Sequence, residues 1–236
     1  LTIFSQPPGG LPGVHPEAKI MSRVPIYGTK DAGRKIWKKL RTIFVREGFK
    51  ENFVMKALYS YANDSGEVLA IIGTHVDDVI WASKPEAEKM INAVLTEFQC
   101  GEPEVGHFRY CGKQVDQDDD YNIVITCSDT TKKLRPIRIE PARKLHMNLN
   151  ATEITQMKSV AGSLQWITRN CRPDLAYRVS RVQSTSNSGG IVKDIRVCNK
   201  VVDYALATSD YGLTFKSGVI DWKDLVLGVI TDASFA

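Results

Sequence analysis

The sequence predicts a mixed α+β fold, rich in strands through its first half and helical through most of its second. Three observations carry this. Two apolar, β-prone runs, Met55–Ala62 and Glu67–Gly73, flank Asn63-Asp64-Ser65-Gly66, the composition of a hairpin turn. From Thr152 to Ala207 apolar residues recur at helical spacing. Strands gathered largely ahead of helices then give the α+β class.

The 236 residues are 43% hydrophobic and 25% charged, an ordinary globular composition. That length holds one large domain or two modest ones with real cores. No apolar run approaches the roughly 20 residues that span a bilayer, and no signal-peptide pattern opens the chain. Cys100, Cys111, Cys127, Cys171 and Cys198 are widely spaced, with no Cys-x-x-Cys pair. They read as reduced thiols of an intracellular protein, not as a disulfide frame or a zinc site. The chain starts at Leu1 and stops just after the strand-like run Leu225–Ile230, which leads us to expect a larger parent protein.

In chain order, residues 1–25 hold much of the Pro and Gly and read as a loop. Lys35–Glu47 follows as a helix. Ile36, Trp37, Leu40, Ile43 and Phe44 form its apolar face, and Gly48 is placed to cap its end. After the hairpin, Asp77-Asp78 marks a second turn and Val79–Ala82 the returning strand. Ser83 and Glu86 have capping-box spacing, with Pro85 in the first turn of a helix to Phe98. Met90, Ile91, Val94, Leu95 and Phe98 would face inward. His107–Gln114 and Tyr121–Cys127 read as one hairpin around the acidic tip Asp116–Asp120, which is expected to be solvated. Helices then start near Thr152 and at Pro173, a polar break covers Ser184–Gly190, and a third helix runs from Ile191 to Ala207. Gly212–Phe215 and Leu225–Ile230 finish the chain as strands.

Two features carry chemistry. Lys30, Arg34, Lys35, Lys38, Lys39 and Arg41 crowd a short stretch in which Asp31 is the one acid. Such a patch suits a polyanion such as a nucleic-acid backbone, or is a solvated helix face. Asp77-Asp78 interrupts the apolar run from Val68 to Ala82. Burying charged aspartate is costly unless it is compensated, and a divalent cation would compensate it with carboxylate oxygen ligands. Two solvated turn aspartates are the alternative.

Taken in order, these segments resemble the reverse transcriptase region of copia-type retrotransposon Pol polyproteins, running into the start of RNase H. Gln6-Pro7-Pro8-Gly9 is similar to the family's Q-P-P-G. Ile26–Arg34, with Trp37 beyond, resembles L-Y-G-L-K-Q-A-P-R-x-W, and Val76-Asp77-Asp78 resembles the end of Y-V-D-D. Tyr110–Val115 resembles F-L-G-I-x-V. Gly162–Ile167 with Arg172–Leu175 resembles G-S-L-x-Y-L and R-P-D-I, and Thr231–Ala236 resembles S-D-A-D-W-A.

The resemblance implies a right-hand polymerase fold, truncated at both ends. It implies partial fingers and palm over 1–100, a primer-grip-like hairpin over 101–128, a helical thumb and connection over 129–210, and the start of RNase H over 211–236. It implies RNA-directed DNA synthesis with Asp77 and Asp78 as catalytic, metal-holding residues and Asp232 as the first metal position of RNase H. The cofactor would be Mg²⁺, two ions per polymerase site, with Mn²⁺ as a substitute. Lys30, Arg34 and Lys38 would contact nucleic acid or nucleotide phosphates. The implied partners are an RNA or DNA template with its primer, dNTPs and the rest of the Pol polyprotein, with no membrane. The implied location is intracellular: cytoplasmic in a virus-like particle, or nuclear. Arg172 and Asp174 are equally well explained as an ion pair at a helix start, and we read them as structural.

Departures matter too. His75 replaces the usual Tyr, Asp31 replaces Gln, Gly33 replaces Pro, and Ser234 replaces the second acid of the RNase H motif. Nothing before Gln6 supplies the D-x-x-x-A-F aspartate that the polymerase requires, so these residues alone are not expected to catalyse either reaction. A decayed or repurposed element acting as a non-catalytic nucleic-acid-binding module is the alternative function. An unrelated Mg²⁺-dependent phosphohydrolase is a third reading, disfavoured by the basic helix.

Overall fold

The computed structural model describes residues 3–5, 12–15, 17–22, 32–76, 78–98 and 100–220. The chain divides into two compact units, Leu1–Glu102 and Pro103–Ala236. The segment boundaries expected at 128 and 210 fall within the second unit. The predicted strand Leu225–Ile230 lies outside the described residues.

In the first unit, β1 (Ile3–Ser5) and β2 (Ile20–Ser22) pair antiparallel. Helix α1 (Ala32–Arg46) buries Leu40, Ile43 and Phe44, as the spacing predicts. Gly48 ends it at φ +88°, donating to the Val45 carbonyl while Phe49 N–H reaches Phe44 O at 2.9 Å. This is a Schellman closure, completed by edge-to-face contact between the Phe44 and Phe49 rings at 5.7 Å. A four-stranded antiparallel sheet follows in spatial order β3 (Lys50–Glu51), β4 (Leu58–Ala62), β5 (Val68–His75) and β6 (Asp78–Ser83). The first hairpin strand starts later than the sequence suggests. Asn52 Oδ1 accepts from Val54 and Met55 N–H at 2.9 Å each, holding them in a turn. The Asn63–Gly66 turn forms as expected, with Asn63 Oδ1 accepting from Glu67 N–H at 2.9 Å.

The Ser83 capping box does not form. Ser83 is still in the ladder opposite Ala70, and Lys84 N–H bonds Leu69 O at 2.8 Å, so Lys84 becomes the cap residue. Pro85–Ala87 then makes a 3₁₀ turn into α2 (Glu88–Phe98). Strand pairing takes the serine before its side chain can cap.

The second unit has an antiparallel sheet in the order β10–β9–β8–β7, made of β7 (His107–Tyr110), β8 (Lys113–Gln117), β9 (Ile123–Thr126) and β10 (Gly212–Phe215). The expected single strand over 107–114 is two strands. Cys111 (φ +49°) and Gly112 (φ +76°) reverse the chain between them. A side chain at Gly112 would come within 3.3 Å of the Trp166 ring, so glycine serves both turn and packing. At the acidic tip, Asp118 accepts from the Asn122 backbone at 2.8 Å and is solvated as expected.

Helices α3 (Ser128–Thr131), α4 (Ala151–Asn170), α5 (Ala176–Ser188) and α6 (Val192–Ala207) complete the unit. Their core includes Met157, Leu164, Ile167, Leu175, Val179, Ile195 and Val202. The predicted polar break shrinks to Gly189-Gly190. Thr185, Ser186 and Ser188 hydroxyls donate to carbonyls one turn back, so α5 continues through them. Asn150 and Glu153 form a capping box at α4, and Arg143 grips the Glu153 carboxylate with bonds of 3.0 and 2.8 Å.

Arg172 links the ends of three helices. It is 1% exposed, yet its guanidinium makes four hydrogen bonds. Nε and Nη2 donate to the two Asp174 oxygens, while Nη1 and Nη2 donate to Thr208 O and Oγ1, all at 2.8 Å. The reading of Arg172 and Asp174 as a structural pair is what the geometry shows.

Two expectations follow for stability. Arg172→Met strands Asp174 and the Thr208 carbonyl, and urea unfolding should register a loss of about 3 kcal/mol. Hydrogen bonds from Arg172 and from Arg143 hold Asp174 and Glu153, respectively, below the ordinary carboxylate range. Their stabilisation is complete above the unfolded-chain pKa of about 4 and is lost as pH falls through their depressed folded values. The urea midpoint should therefore hold from about pH 7 to 5 and drop below about pH 4, less steeply in Glu153→Gln.

Candidate functional site

The β5–β6 hairpin positions Asp78. Its ladder closes at His75–Asp78, and Asp77 lies outside the described residues. Along the sheet, Tyr59, Ile72 and Trp81 pair across three strands and point toward α1 and α2. Alternation then places Asp78, Ile80 and Ala82 on the opposite face. Ile71, 47% exposed against 1% for Ile72, marks that face as the one without a core. Asp78 is exposed there, and no described residue pairs with its carboxylate.

Val76 precedes the pair at φ +57°. A β-branched residue in the left-handed region is a genuine outlier, costing about 1–3 kcal/mol, and such outliers gather at functional sites. His75 is exposed beside it, not packed in a core as a lone histidine in an apolar run would suggest.

The basic patch lies elsewhere. Lys30 is outside the described residues; Arg34 and Lys38, four residues apart, are exposed on α1. Because α1 covers the sheet face of Tyr59 and Ile72, Asp78 and these cations belong to opposite faces of the sheet. The structure does not bring them together. Arg41 is taken up by Glu51 at 3.1 Å, and Lys39 sits 5.0 Å over the Phe98 ring. Arg34, Lys35 and Lys38 have no acidic partner among the described residues. Between α1 and α2, also on the covered face, lies an apolar groove of about 660 Å³ rimmed by Lys35 and Lys39. The helical spacing of the two apolar faces was its one trace in the sequence.

Asp77 and Asp78 are the residues that would hold a divalent cation. The donor chemistry of Asp78, an exposed carboxylate with no described cation neutralising it, fits Mg²⁺. Among the described residues no three His, Cys, Asp or Glu side chains are grouped to bind a metal. Asp232, the predicted RNase H position, is outside the described residues. No helix among the described residues is long and apolar enough to cross a membrane.

Across 99% of its length the chain is similar to retrovirus-related Pol polyproteins, which bears out the resemblance to retrotransposon Pol read from its motifs. One is the polyprotein of transposon RE2 of Arabidopsis thaliana, 25% identical over 252 residues. Another is that of transposon RE1 of the same plant, 21% identical over 253 residues. The chain spans 16% of the length of each. No family model and no solved structure matches it.

The strain at Val76 gives a direct test. Val76→Gly removes the left-handed penalty while adding some unfolded-state entropy, so the urea midpoint should rise by the equivalent of about 1 kcal/mol. A fall instead would show that the valine side chain makes contacts worth more than the strain.

Proposed function

We propose that these residues are the reverse transcriptase region of a retrotransposon Pol polyprotein, performing RNA-directed DNA synthesis within the whole protein. The observation that carries this is the strained hairpin that presents Asp78 on the open face of a sheet whose other face is backed by two helices. A primer–template duplex on that face would meet Asp78, and the helices would support the sheet from behind, in the manner of a polymerase palm.

Asp77 and Asp78 would hold Mg²⁺, their charge matching a site that also receives several phosphates. Bound Mg²⁺ supplies activation of the primer 3′-hydroxyl and neutralisation of the triphosphate and leaving pyrophosphate. Asp78 does its part from the end of β6, where the ladder with β5 fixes its backbone. Lys30 is assigned to nucleotide or template phosphates, and Arg34, which α1 holds away from Asp78, to template phosphates beyond the metal site. Lys38, on the solvent face of α1, is assigned to the backbone of a longer polyanion. Asp232 is assigned to the metal site of a following RNase H domain, and integration and particle assembly to other parts of the polyprotein.

A second reading, nucleic-acid binding without catalysis, is favoured by one observation: the unpaired cations of α1 lie on the face away from Asp78. The two readings separate experimentally. Mn²⁺ added to the 236-residue chain should broaden NMR signals of the β5–β6 turn, and Asp77→Asn/Asp78→Asn should abolish that broadening. Unchanged spectra would remove the metal site. In the longer reading frame, Asp77→Asn should cut primer extension by about 10²-fold or more, at least ~2.7 kcal/mol of transition-state stabilisation. Arg34→Ala and Lys38→Ala should each lower the salt slope of nucleic-acid binding by about 1, whether or not Mg²⁺ is present.

A further inference from the structure

Buried in the second unit, two thiols face each other. Cys127 follows β9 and Cys171 caps the end of α4, and their sulfurs are 2.8 Å apart. Each is 1% exposed. Their backbones are pinned. Cys127 O accepts from both the N–H and the hydroxyl of Thr131 at 2.9 Å, and Cys171 N–H donates to Ile167 O at 2.9 Å. Cys198 shares the same core without a sulfur partner among the described residues, while Cys100 is exposed and Cys111 half-buried. The fold therefore selects one pair out of five cysteines.

We propose that Cys127 and Cys171 are a redox-convertible pair, which a hydroperoxide joins into an intramolecular disulfide stapling the end of β9 to the end of α4. The sulfurs are already within about 1 Å of bonding distance, so closing the bond asks little of either element.

The direction of the chemistry follows from the hydrogen bond. Cys127 S–H donates to the Cys171 sulfur, which favours the thiolate at Cys171. Burial is the larger effect and leaves the Cys171 thiol raised above its ordinary range, against that hydrogen bond and the positive field of Lys113, whose ammonium bonds Asn170, so the thiolate is a minor form. Cys171 thiolate attacks the outer peroxide oxygen. The O–O bond breaks, leaving a sulfenic acid and an alkoxide that takes up a proton. The Cys127 sulfur then attacks the sulfenic sulfur, the S–O bond breaks, and hydroxide leaves as water with the Cys127 proton. Two thiols and one hydroperoxide give one disulfide, one alcohol and one water, and the two electrons lost by sulfur reduce the peroxide. Burial makes the pair slower to react than Cys100, so the bond forms under sustained oxidation and not on first exposure.

Closing the chain from residue 127 to 171 restricts the unfolded state, and the thermal midpoint of the second unit should rise by roughly 10 °C, reversibly with dithiothreitol. The test uses the full chain with Cys100→Ser and Cys111→Ser, which leaves the three core thiols intact. Hydrogen peroxide treatment, alkylation without denaturant and peptide mass spectrometry should give a Cys127–Cys171 cross-link as the main product. The midpoint should rise with it, and adding Cys198→Ser should change neither result. Three outcomes would overturn the proposal: cross-links shared with Cys198, sulfinic acids with no cross-link, or a cross-link that appears only in urea. Because the main readout needs no substitution in the pair itself, misfolding of a Cys171→Ser variant does not confound it. None of these readouts depends on polymerase activity.

Discussion

The second unit is organised around a cation it can ill afford to leave unpaired. Taking a guanidinium from water costs several kcal/mol, and Arg172 recovers this only because four hydrogen bonds converge on it. Those bonds come from the start of the Pro173 turn and from the end of α6, while the arginine itself follows α4. Tyr204 and Tyr211 place their rings 5.8 and 5.4 Å from the guanidinium carbon, adding cation–π attraction on the way to β10. The packing of Leu164, Ile167, Leu175 and Val202 into one core presupposes that these chain ends are held in register.

The first unit is governed by a different constraint, the two-sidedness of its sheet. A hydrophobic face committed to α1 and α2 leaves the other face free for polar chemistry, and strand alternation decides which residues go where. Asp78 reaches the open face because it falls in phase with Ile80 and Ala82. A slip of one residue would have turned it into the core. The same rule separates it from the α1 cations, whose helix is tied to the covered side by Leu40 and Phe44. Acidic and basic groups that look like one site along the sequence are thus two surfaces in space.

Much of this was legible beforehand. Strong local signals survived because nothing in the tertiary structure competes with them: the Asn63–Gly66 turn, the Gly48 cap, and the helical spacing of Ile154 through Ile167. Where competition exists, the local signal lost. Ser83 has capping chemistry, but the ladder with Ala70 claims its backbone first. Cys111-Gly112 carries no strong turn signal because cysteine is not a usual residue for positive φ, and the packing of Trp166 over the glycine is a long-range contact. The serines and threonines of α5 look like a break until their hydroxyls are seen bonding within the helix. For the site, the pattern gave the residue types and the turn. It did not give the face of the sheet on which each group stands, which depends on pairing register.

The two units also differ in how far apart in the chain their pairings reach. In the first, β4, β5 and β6 are successive hairpins, so every ladder closes between neighbours. In the second, β9 finds its outer partner only after α4, α5 and α6 have intervened, since Ile123–Thr126 pairs with Gly212–Phe215. A chain emerging from the ribosome can therefore complete the first sheet early, whereas β9 stays an open edge until residue 215 is free. High contact order of this kind slows folding and prolongs the lifetime of an unpaired strand. Vectorial synthesis thus gives the two halves unequal exposure to misassociation, with the later half the more vulnerable.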